Sequence, residues 1–402
     1  MSLMNWIDDR FPATKLWKEH VSEYYAPKNF NFWYYFGSLA LFVLMLQILT
    51  GLWLTMNYKA SATEAFASVE YIMRDVPMGW LLRYLHSTGA SAFFVVIYMH
   101  MFRGLLYGSY KKPRELVWLL GMGIFLLLLM EAFFGYLLPW GQMSFWGAKV
   151  ITSLFEAIPV IGTGLVEWIR GDYTVSDVTL NRFFALHVVG IPLLFIGLVI
   201  FHIMALHEVG SNNPEGVEIK KLKNDKGIPL DGIPFHPYYS VKDLLGLAVF
   251  LLIFCFILFF MPDMEGFFLE GPNFVPANPL VTPEHIAPVW YMTPFYAILR
   301  AIPDKLGGVL AMTGSIAILF VLPWLDRCEV KSIRYRGWSY KVALTAFVIS
   351  FVSLGYLGTQ VPTPARTLAA QVCATVYFLF FLLMPLYTRF EQTKPVPQRV
   401  TS

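Results

Sequence analysis

The stretch RYLHSTGASAFFVVIYMHMFRG, from Arg83 to Gly104, decides the fold of this chain. It is apolar and longer than the roughly 20 residues that a helix needs to cross a lipid bilayer. It nevertheless carries two histidines, His86 and His100, and an arginine at each end, Arg83 and Arg103. Ionisable side chains are expensive inside a membrane and by default mark functional sites. The stretch therefore predicts a membrane helix that binds a ligand.

The composition of the whole chain agrees with a membrane protein. Its 402 residues are 57% hydrophobic and 14% charged, whereas a soluble protein has roughly 25% charged residues. Three isolated cysteines form no covalent haem motif and no iron–sulfur site, and nothing indicates a nucleic-acid partner. We predict an all-α transmembrane fold with eight membrane-spanning helices, near 32–56, 80–106, 115–137, 180–206, 240–261, 300–325, 341–359 and 366–388.

Basic residues are concentrated on one side of the predicted spans. They fill both termini and three of the loops, whereas the loop 262–293 contains no Lys or Arg. Because cytoplasmic loops carry an excess of Lys and Arg, we expect both termini in the cytoplasm. We call the side with both termini the inner side and the opposite side the outer side. The longest polar linker, near 210–240, divides the chain into 1–215, with the first four spans, and 216–402, with the last four.

Four histidines lie inside predicted spans, His86 and His100 on the second and His187 and His202 on the fourth. His86 and His100 are 14 residues apart, close to four helical turns, so both project from one face about 21 Å apart. The second and fourth spans run in the same direction, which brings His86 level with His187 and His100 level with His202. Two facing imidazoles without a thiolate or carboxylate suit haem iron best. The pattern predicts two stacked bis-histidine haems, which carry electrons because neither has an open position for a substrate.

The two arginines have a predicted role beside these histidines. Arg83 lies three residues before His86, and Arg103 lies three residues after His100. Residues three apart share a helix face, and the planar guanidinium matches the geometry of a carboxylate. We predict that they bind the haem propionates; the alternative is that they only extend to the membrane surface from the helix ends.

Glycines on the first and third spans repeat the spacing of the histidines. Small residues let helices and ligands approach closely, so two glycine pairs in one register predict flat grooves for a planar ligand. The first four spans are therefore predicted to form a four-helix bundle around two haems. The glycines are Gly37, Gly51, Gly121 and Gly135.

Longer motifs resemble the cytochrome b family, the dihaem core of the cytochrome bc complexes. They cover nearly the whole chain: GSLALFVLMLQILTGLWLTMNY (37–58), GYLLPWGQMSFWGAKVIT (135–152), LHEVGSNNP (206–214), FHPYYSVKD (235–243), GPNFVPANPL (271–280) and AILRAIPDKLGGV (297–309). The resemblance implies that ubiquinol is oxidised near the outer surface. One electron would pass to a Rieske-type iron–sulfur protein, and the other through the outer and inner b-type haems to a quinone reduced near the inner surface. It also implies a c-type cytochrome partner, a homodimeric complex and contacts with membrane lipids.

The resemblance also implies an outer quinol site. Its expected residues are Tyr136, Met143, Gly147, Ile151, Tyr291 and Tyr296. The family's Pro-Glu-Trp-Tyr motif reads PVWY here, with Val289 in place of a glutamate that accepts a proton. Our hypothesis is that Glu284 takes over this role; the alternative is a solvated loop glutamate.

For the inner quinone site, the resemblance points to His207, Lys242 and Asp243, with Ser38 and Ser211 nearby. His207 follows the inner haem ligand His202 by five residues, and Asp243 opens the fifth span on the same side. A histidine and a carboxylate that reach opposite carbonyls of a quinone could deliver protons during its reduction.

Two features depart from mitochondrial members of the family. His187 and His202 are 15 residues apart rather than 14, and a kink at Pro192 or a π-bulge could absorb the extra residue. Together with Val289, this spacing favours a bacterial inner membrane over a mitochondrial one. Glu131, deep in the third span, either serves protons at the outer site or bonds a neighbouring helix.

Two other functions compete with electron transfer between quinones. A dihaem anchor of a quinone-linked dehydrogenase or hydrogenase would use similar histidine pairs but fewer spans. A haem-free transporter could use buried His and Arg for protons, and would predict broken helices and internal symmetry.

Overall fold

The structure, a computed structural model that describes residues 2–18 and 22–401, contains eight helices able to span a membrane by length and composition. Their bounds differ from the predicted ones by at most six residues, so the all-α transmembrane fold is confirmed. The helices are Phe32–Thr55, Gly79–Tyr107, Glu115–Leu137, Asp177–Val209, Phe235–Phe260, Lys305–Leu325, Trp338–Thr359 and Pro364–Leu382.

The sixth span begins later than predicted. A separate helix, Thr293–Ala301, ends first, and the span starts at Lys305. The carboxylate of Asp304 accepts a hydrogen bond from the backbone N–H of Gly307 at 2.6 Å, which caps the new helix. The predicted start at residue 300 is therefore wrong, because the chain leaves the helical conformation between the two helices.

The first four spans form the predicted bundle. The first span packs mainly against the second, and the third mainly against the fourth. The two pairs meet where histidines of the second span face histidines of the fourth. The predicted haem-binding histidines therefore lie along the centre of the bundle.

A single wide turn interrupts the fourth span at Leu186–Gly190. This segment is π-helical, and the N–H of Ile191 bonds the carbonyl of Leu186, five residues back. A π turn takes up one residue more than an α turn, and regular helix follows over Ile191–Val209. Of the two alternatives, a kink at Pro192 or a π-bulge, the structure shows a π-bulge, and it includes the predicted ligand His187.

The remaining elements cover the two ends of the bundle. On the outer side lie the short helices Ala65–Arg74, Gln142–Ser153 and Gly162–Arg170. On the inner side, strand Tyr25–Pro27 pairs antiparallel with Gly232–Pro234, so the N-terminal segment is tied to the polar linker. The fifth span packs on the first, and the sixth on the third. The division of the chain at residue 215 stays a prediction.

A buried ion network joins the inner loops. The carboxylate of Asp326 contacts Lys111 and Arg336, each at 2.8 Å, and Arg336 also contacts Glu391 at 2.7 Å. Burial alone would raise the pKa of Asp326, but the positive charges of Lys111 and Arg336 outweigh it and hold the pKa below its usual range. These contacts connect the second-to-third loop, the end of the sixth span and the C-terminal segment.

Candidate functional site

Two imidazole pairs lie at different depths between the second and fourth spans. The outer pair is His86 and His187, with ring centroids 6.1 Å apart and ring planes at 90°. The inner pair is His100 and His202, with centroids 6.4 Å apart and planes at 65°. The sequence therefore paired the four histidines correctly.

The spacing of each pair fits one metal ion held between two rings. Imidazole nitrogens bind first-row metals at about 2.0 Å, and a five-membered ring places its nitrogen roughly 1.2 Å from the centroid. Two such ligands on opposite sides put their centroids about 6.4 Å apart. Within residues 2–18 and 22–401, no group of three or more His, Cys, Asp or Glu side chains could hold a metal ion. The pairs thus fit a metal whose remaining ligands come from a porphyrin.

The four predicted glycines lie against the four histidine rings. A Cβ atom at Gly51 would lie 3.1 Å from Cε1 of His86, and one at Gly135 would lie 2.5 Å from Cε1 of His187. The corresponding distances for the inner pair are 3.5 Å from Gly37 to His100 and 3.2 Å from Gly121 to His202. The glycines therefore make room first for the edges of the imidazoles, which the prediction of a flat ligand groove had not specified.

The outer ligands are oriented through their Nδ1 atoms. The Nδ1 of His86 lies 3.0 Å from Oγ1 of Thr50, which donates its own proton to the carbonyl of Leu46. The Nδ1 of His187 lies 3.0 Å both from the backbone carbonyl of Glu131 and from Oε1 of its side chain. With Nδ1 bonded to protein, Nε2 is left for the metal. Of the two expected roles for Glu131, the structure shows a bond to a neighbouring helix.

The inner ligands have no carboxylate behind them. The Nδ1 atoms of His100 and His202 have no hydrogen-bond partner in the described part of the chain, and His202 lies near the backbone of Val117. The inner and outer pairs therefore differ in their surroundings, although their ring spacings are alike.

The inner arginine is available for an anionic group. Arg103 donates from Nη1 to Ser109 at 3.2 Å and lies 5.0 Å from the ring centroid of Tyr34. Its Nε is buried and has no partner among the residues that the structure describes. An unpaired buried donor is unfavourable, which fits a guanidinium that completes its bonding with a propionate. The outer counterpart, Arg83, is half-buried.

One continuous cavity of about 370 Å³ joins the inner histidine pair to the predicted inner quinone site. Its size suits a small-molecule ligand, and apolar side chains dominate its lining. The functional residues on its wall are His100, Arg103, His202, His207, Ser38, Ser211, Lys242 and Asp243. All the residues predicted for the inner site are therefore brought together.

A tyrosine that the sequence did not reveal organises this cavity. The ring of Tyr24 stacks on His207 at 4.4 Å, and its hydroxyl lies 3.2 Å from Oγ of Ser211. Ser38 lies close enough to interact with Asp243, while its hydroxyl donates to the carbonyl of Tyr35 at 3.1 Å. Tyr24 lies in the polar N-terminal segment, where no helical periodicity pointed to a site. Its partners became visible only once that segment was paired with the linker.

On the outer side, the third span ends beside the long loop 262–293. Tyr136 donates a hydrogen bond to the carboxylate of Glu270, and Gly147 lies against the Tyr136 ring. Tyr291 is buried, stacks on Phe94 at 3.7 Å and interacts electrostatically with Glu270. Burial raises the pKa of Glu270 to about 7.

Other residues predicted for the outer site are more scattered. Met143 is buried and Ile151 half-buried on the same short helix, while Tyr296 donates to the carbonyl of Ile286 at 3.0 Å. Val289 is buried, but the side chain of Glu284 is exposed. Among the described contacts, none joins Glu284 to Tyr136 or Tyr291. Glu270 occupies the place beside these tyrosines that we had expected for Glu284.

The whole chain is similar to known proteins. Residues 21–210 match the family model described as cytochrome b/b6/petB, and residues 276–378 match the model for cytochrome b (C-terminal)/b6/petD. A cytochrome b of Allochromatium vinosum is 61% identical, over 99% of this chain and 98% of that protein. A cytochrome b/c1 of Bradyrhizobium diazoefficiens is 48% identical, over 99% of this chain and 56% of that longer protein.

A solved structure has the same fold. It is described as a hyperthermophilic respiratory Complex III, and one of its chains superposes with a TM-score of 0.89 at 39% sequence identity. The match covers 96% of this chain and 99% of that chain.

Proposed function

This chain belongs to the cytochrome b family, and from that premise we propose how its own residues move electrons between two quinone sites. The family supplies the core catalytic subunit of ubiquinol–cytochrome c reductase, with two b-type haems. Family membership removes the two alternatives, a dehydrogenase anchor and a haem-free transporter. The observation that carries the proposal is the pair of bis-imidazole sites, with ring centroids 6.1 and 6.4 Å apart.

His86 and His187 hold the outer haem, and His100 and His202 hold the inner one. When bound, each haem supplies a one-electron carrier without an open coordination position. Arg103 binds a propionate of the inner haem, since its buried Nε has no partner among the described residues. Arg83 has the same role for the outer haem.

At the inner site, residues of the shared cavity bind and protonate a quinone. His207 and Asp243 lie on the wall of the cavity that reaches His100 and His202. Tyr24 fixes the plane of the His207 ring by stacking, and Ser38 lies beside Asp243. A protonated imidazole and a protonated carboxyl group can each give a proton to a quinone oxygen, and both then take up a proton from the inner side. Lys242 and Ser211 add polar contacts at the cavity wall.

At the outer site, a quinol lies near the end of the third span. Tyr136, Met143, Gly147 and Ile151 form one wall, and Tyr291 and Tyr296 approach from the other side of the loop. Outward release and inward uptake of protons make the cycle electrogenic. An electron that moves inward against the membrane potential loses about 2.3 kcal/mol per 100 mV, so the inner haem needs the higher reduction potential.

The proposed partners and membrane of this chain are those of a cytochrome bc complex. The chain works with a Rieske-type iron–sulfur protein and a c-type cytochrome, in a homodimeric complex surrounded by lipid. Fusion of cytochromes b and c1 in a relative supports the second partner. The chain lies in a bacterial inner membrane with both termini in the cytoplasm, since the outer loop 262–293 has no Lys or Arg.

The test is a haem count and a redox titration of the complex purified from its native membrane. We expect two non-covalent b-type haems per chain and two optical components with different midpoint potentials. One component, or iron held by residues other than these four histidines, would refute the proposal.

A further inference from the structure

The carboxylate of Glu131 lies directly behind a haem-binding position. Its Oε1 is 3.0 Å from the Nδ1 of His187, and its backbone carbonyl is also 3.0 Å from the same nitrogen. The other carboxylate oxygen, Oε2, is buried and has no partner within residues 2–18 and 22–401. The side chain is therefore not held in place by a lysine or arginine, and its described polar contact is His187.

We propose that Glu131 is a positioning residue that lowers the reduction potential of the outer haem through His187. This inference rests on the proposed function, because it requires His187 to be an axial ligand. The Nδ1–H of His187 donates to the backbone carbonyl of Glu131, and the carboxylate oxygen Oε1 lies at the same 3.0 Å from this nitrogen. A carboxylate at this distance makes the imidazole a stronger electron donor. A negative charge beside the ligand also stabilises the oxidised form over the reduced form. Reduction adds one electron at the haem, and the proton stays on Nδ1.

The four ligands differ in this respect. His86 bonds the hydroxyl of Thr50 at 3.0 Å, and His202 faces a backbone group of Val117. Neither His100 nor His202 has an Nδ1 hydrogen-bond partner in the described part of the chain. Only His187 has a carboxylate at this atom among them. Glu131 therefore acts on the outer haem alone, and in the direction that favours inward electron flow.

Potentiometric titration of the purified complex carrying Glu131→Gln tests the proposal. Glutamine keeps the shape and an acceptor oxygen but removes the charge. We expect the reduction equilibrium of the outer haem to shift about tenfold toward the reduced form, which is about 59 mV for one electron. The inner haem should not shift. The control is Glu115→Gln, at the inner end of the same helix, which should move neither haem.

Each other result has a defined meaning. An unchanged outer potential, or equal shifts of both haems, would overturn the role of Glu131. Glu131→Asp keeps the charge and should lie closer to the wild type than Glu131→Gln; the reverse order also overturns it. If haem content falls, the potential is read from the fraction that retains both haems. Loss of the proposed function itself would appear in the wild-type complex, as a missing second b-type component.

A second inference comes independently from the outer loop. Glu270 accepts a hydrogen bond from Tyr136, and Tyr291 lies close enough to interact with its charge. The PVWY segment supplies no carboxylate there, because its second residue is the buried Val289. Glu270 is half-buried, so it can exchange a proton with water.

We infer that Glu270 accepts a proton from the quinol at the outer site, which deepens the proposed function and rests on it. Oxidation of one quinol releases two electrons and two protons. One electron and one proton leave to the iron–sulfur partner. The second electron enters the outer haem, and the second proton binds the carboxylate of Glu270, which then releases it to the outer solution. This assignment replaces our hypothesis for Glu284, whose side chain is exposed.

The surroundings of Glu270 set the pH at which it works. The ionisable groups near it are the phenols of Tyr136 and Tyr291. The helix packed against this loop carries Lys149, which lies over the ring of Trp146 at 4.5 Å. Burial raises the pKa of Glu270 to about 7. A carboxyl group accepts a proton only when ionised, so quinol oxidation should rise as pH increases through about 7.

The matched pair Glu270→Gln and Glu284→Gln separates the two assignments in the purified complex. We expect Glu270→Gln to lower quinol oxidation by about 100-fold or more, the usual contribution of a proton acceptor, and to remove the rise near pH 7. Glu284→Gln should keep the wild-type rate and pH profile. Glu270→Gln with Val289→Glu should regain rate.

Two results would contradict the assignment: a wild-type pH profile in Glu270→Gln, or loss of that profile in Glu284→Gln. Normal spectra of both haems in Glu270→Gln establish that the protein is assembled. If it is not, Glu270→Asp provides the profile: a retained rise at a shifted pH supports the assignment, and an unshifted one overturns it. Failure of the proposed function would instead remove quinol oxidation from the wild-type complex.

Discussion

The outer and inner ends of the four-helix bundle hold similar imidazole pairs in different surroundings. The outer pair has a carboxylate, Glu131, behind one ligand, and Arg83 lies near the other ligand, His86. The inner pair opens into a large cavity that also contains Arg103 and Lys242. A carboxylate lies directly behind one outer ligand and behind neither inner ligand, so the two redox equilibria are shifted by different amounts. The protein can thus separate two chemically identical cofactors in potential without changing their ligands.

The same two ends also differ in how they are held together. Buried charges tie the inner loops, where Arg336 lies between Asp326 and Glu391 with its side chain fully buried. On the outer side the ion pair of Lys59 and Glu64 is 63% and 53% exposed. Neutral bonds also contribute there, such as the one from the backbone N–H of Ser144 to the side chain of Asn273 at 2.8 Å. Among these ion pairs, the fully buried ones therefore lie on the inner side.

The largest expected effect is the loss of one haem without the other when a single histidine is replaced. His187→Leu should remove the outer haem and keep the inner one, and His202→Leu should do the reverse. The haem content should fall from two to one per chain in each variant, because one imidazole cannot clamp the group. A pyridine haemochrome assay and a redox titration measure this. Loss of both haems in either variant would mean that the sites are not independent.

Removal of a charge from the inner network should produce the largest change in stability. Asp326→Asn leaves Lys111 and Arg336 buried without their carboxylate, and breaking a buried pair costs roughly 3–5 kcal/mol. The matching outer change, Glu64→Gln, should cost only about 0–1 kcal/mol. Thermal unfolding of the solubilised complex measures both.

The pH dependence of this network has a definite sign. The pKa of Asp326 is below its usual range in the folded protein, so its contribution is present above the ordinary pKa of a carboxyl group. It is lost as pH falls through the lowered value. If Asp326→Asn and Glu64→Gln lowered the stability of the protein equally, the buried inner ion pairs would contribute no more than the exposed outer pair.

Glycine substitutions sharpen the comparison at the haem sites. A Cβ at position 135 would lie 2.5 Å from His187, whereas one at position 37 would lie 3.5 Å from His100. The first is a clash and the second an ordinary contact. Gly135→Ala should destabilise by about 1–3 kcal/mol, as overpacking does, and broaden the outer haem band. Gly37→Ala should leave the inner haem unchanged. Optical redox titration of both variants measures these effects, and a larger change in Gly37→Ala than in Gly135→Ala would contradict the prediction.

The smallest expected effect concerns the inner quinone site alone. Tyr24→Leu removes the ring stacked on His207 and the hydroxyl beside Ser211. Such a stack contributes about 0.5–1.5 kcal/mol, so quinone binding should weaken by roughly threefold to tenfold. Oxidation of quinol at the outer site should keep its rate. If inner-site quinone binding and outer-site quinol oxidation fell by similar factors, Tyr24 would contribute to the stability of the whole protein and not to the inner site in particular.

The sequence predicted features that follow from regular helices and from the energetics of lipid. To predict the eight spans and the pairing of His86 with His187, it was enough to know the length of each apolar segment, the direction in which it crosses the membrane and that histidine is rare inside membranes. Contacts between helices were harder. The bond from Glu131 to His187 depends on how the third span is rotated, which a narrow apolar pattern does not fix.

Sites formed by irregular segments could not be predicted from spacing. Tyr24 reaches His207 because the N-terminal strand pairs with a linker more than 200 residues away. Glu270 lies in a long loop whose path depends on its packing against the helix Gln142–Ser153. The expectation for Glu284 was drawn from its nearness to Val289 in sequence, and nearness along a loop says little about distance in space.

The wide turn at Leu186–Gly190 gives the fourth span a spare residue. In a uniform helix, deletion of one residue would turn everything beyond it by about 100° and would misdirect one ligand. Here a deletion within the turn would simply return it to regular geometry, with both ends of the helix unmoved. The number of residues between the two ligands is therefore free to vary during evolution, and a difference of one in an alignment need not indicate a different binding geometry.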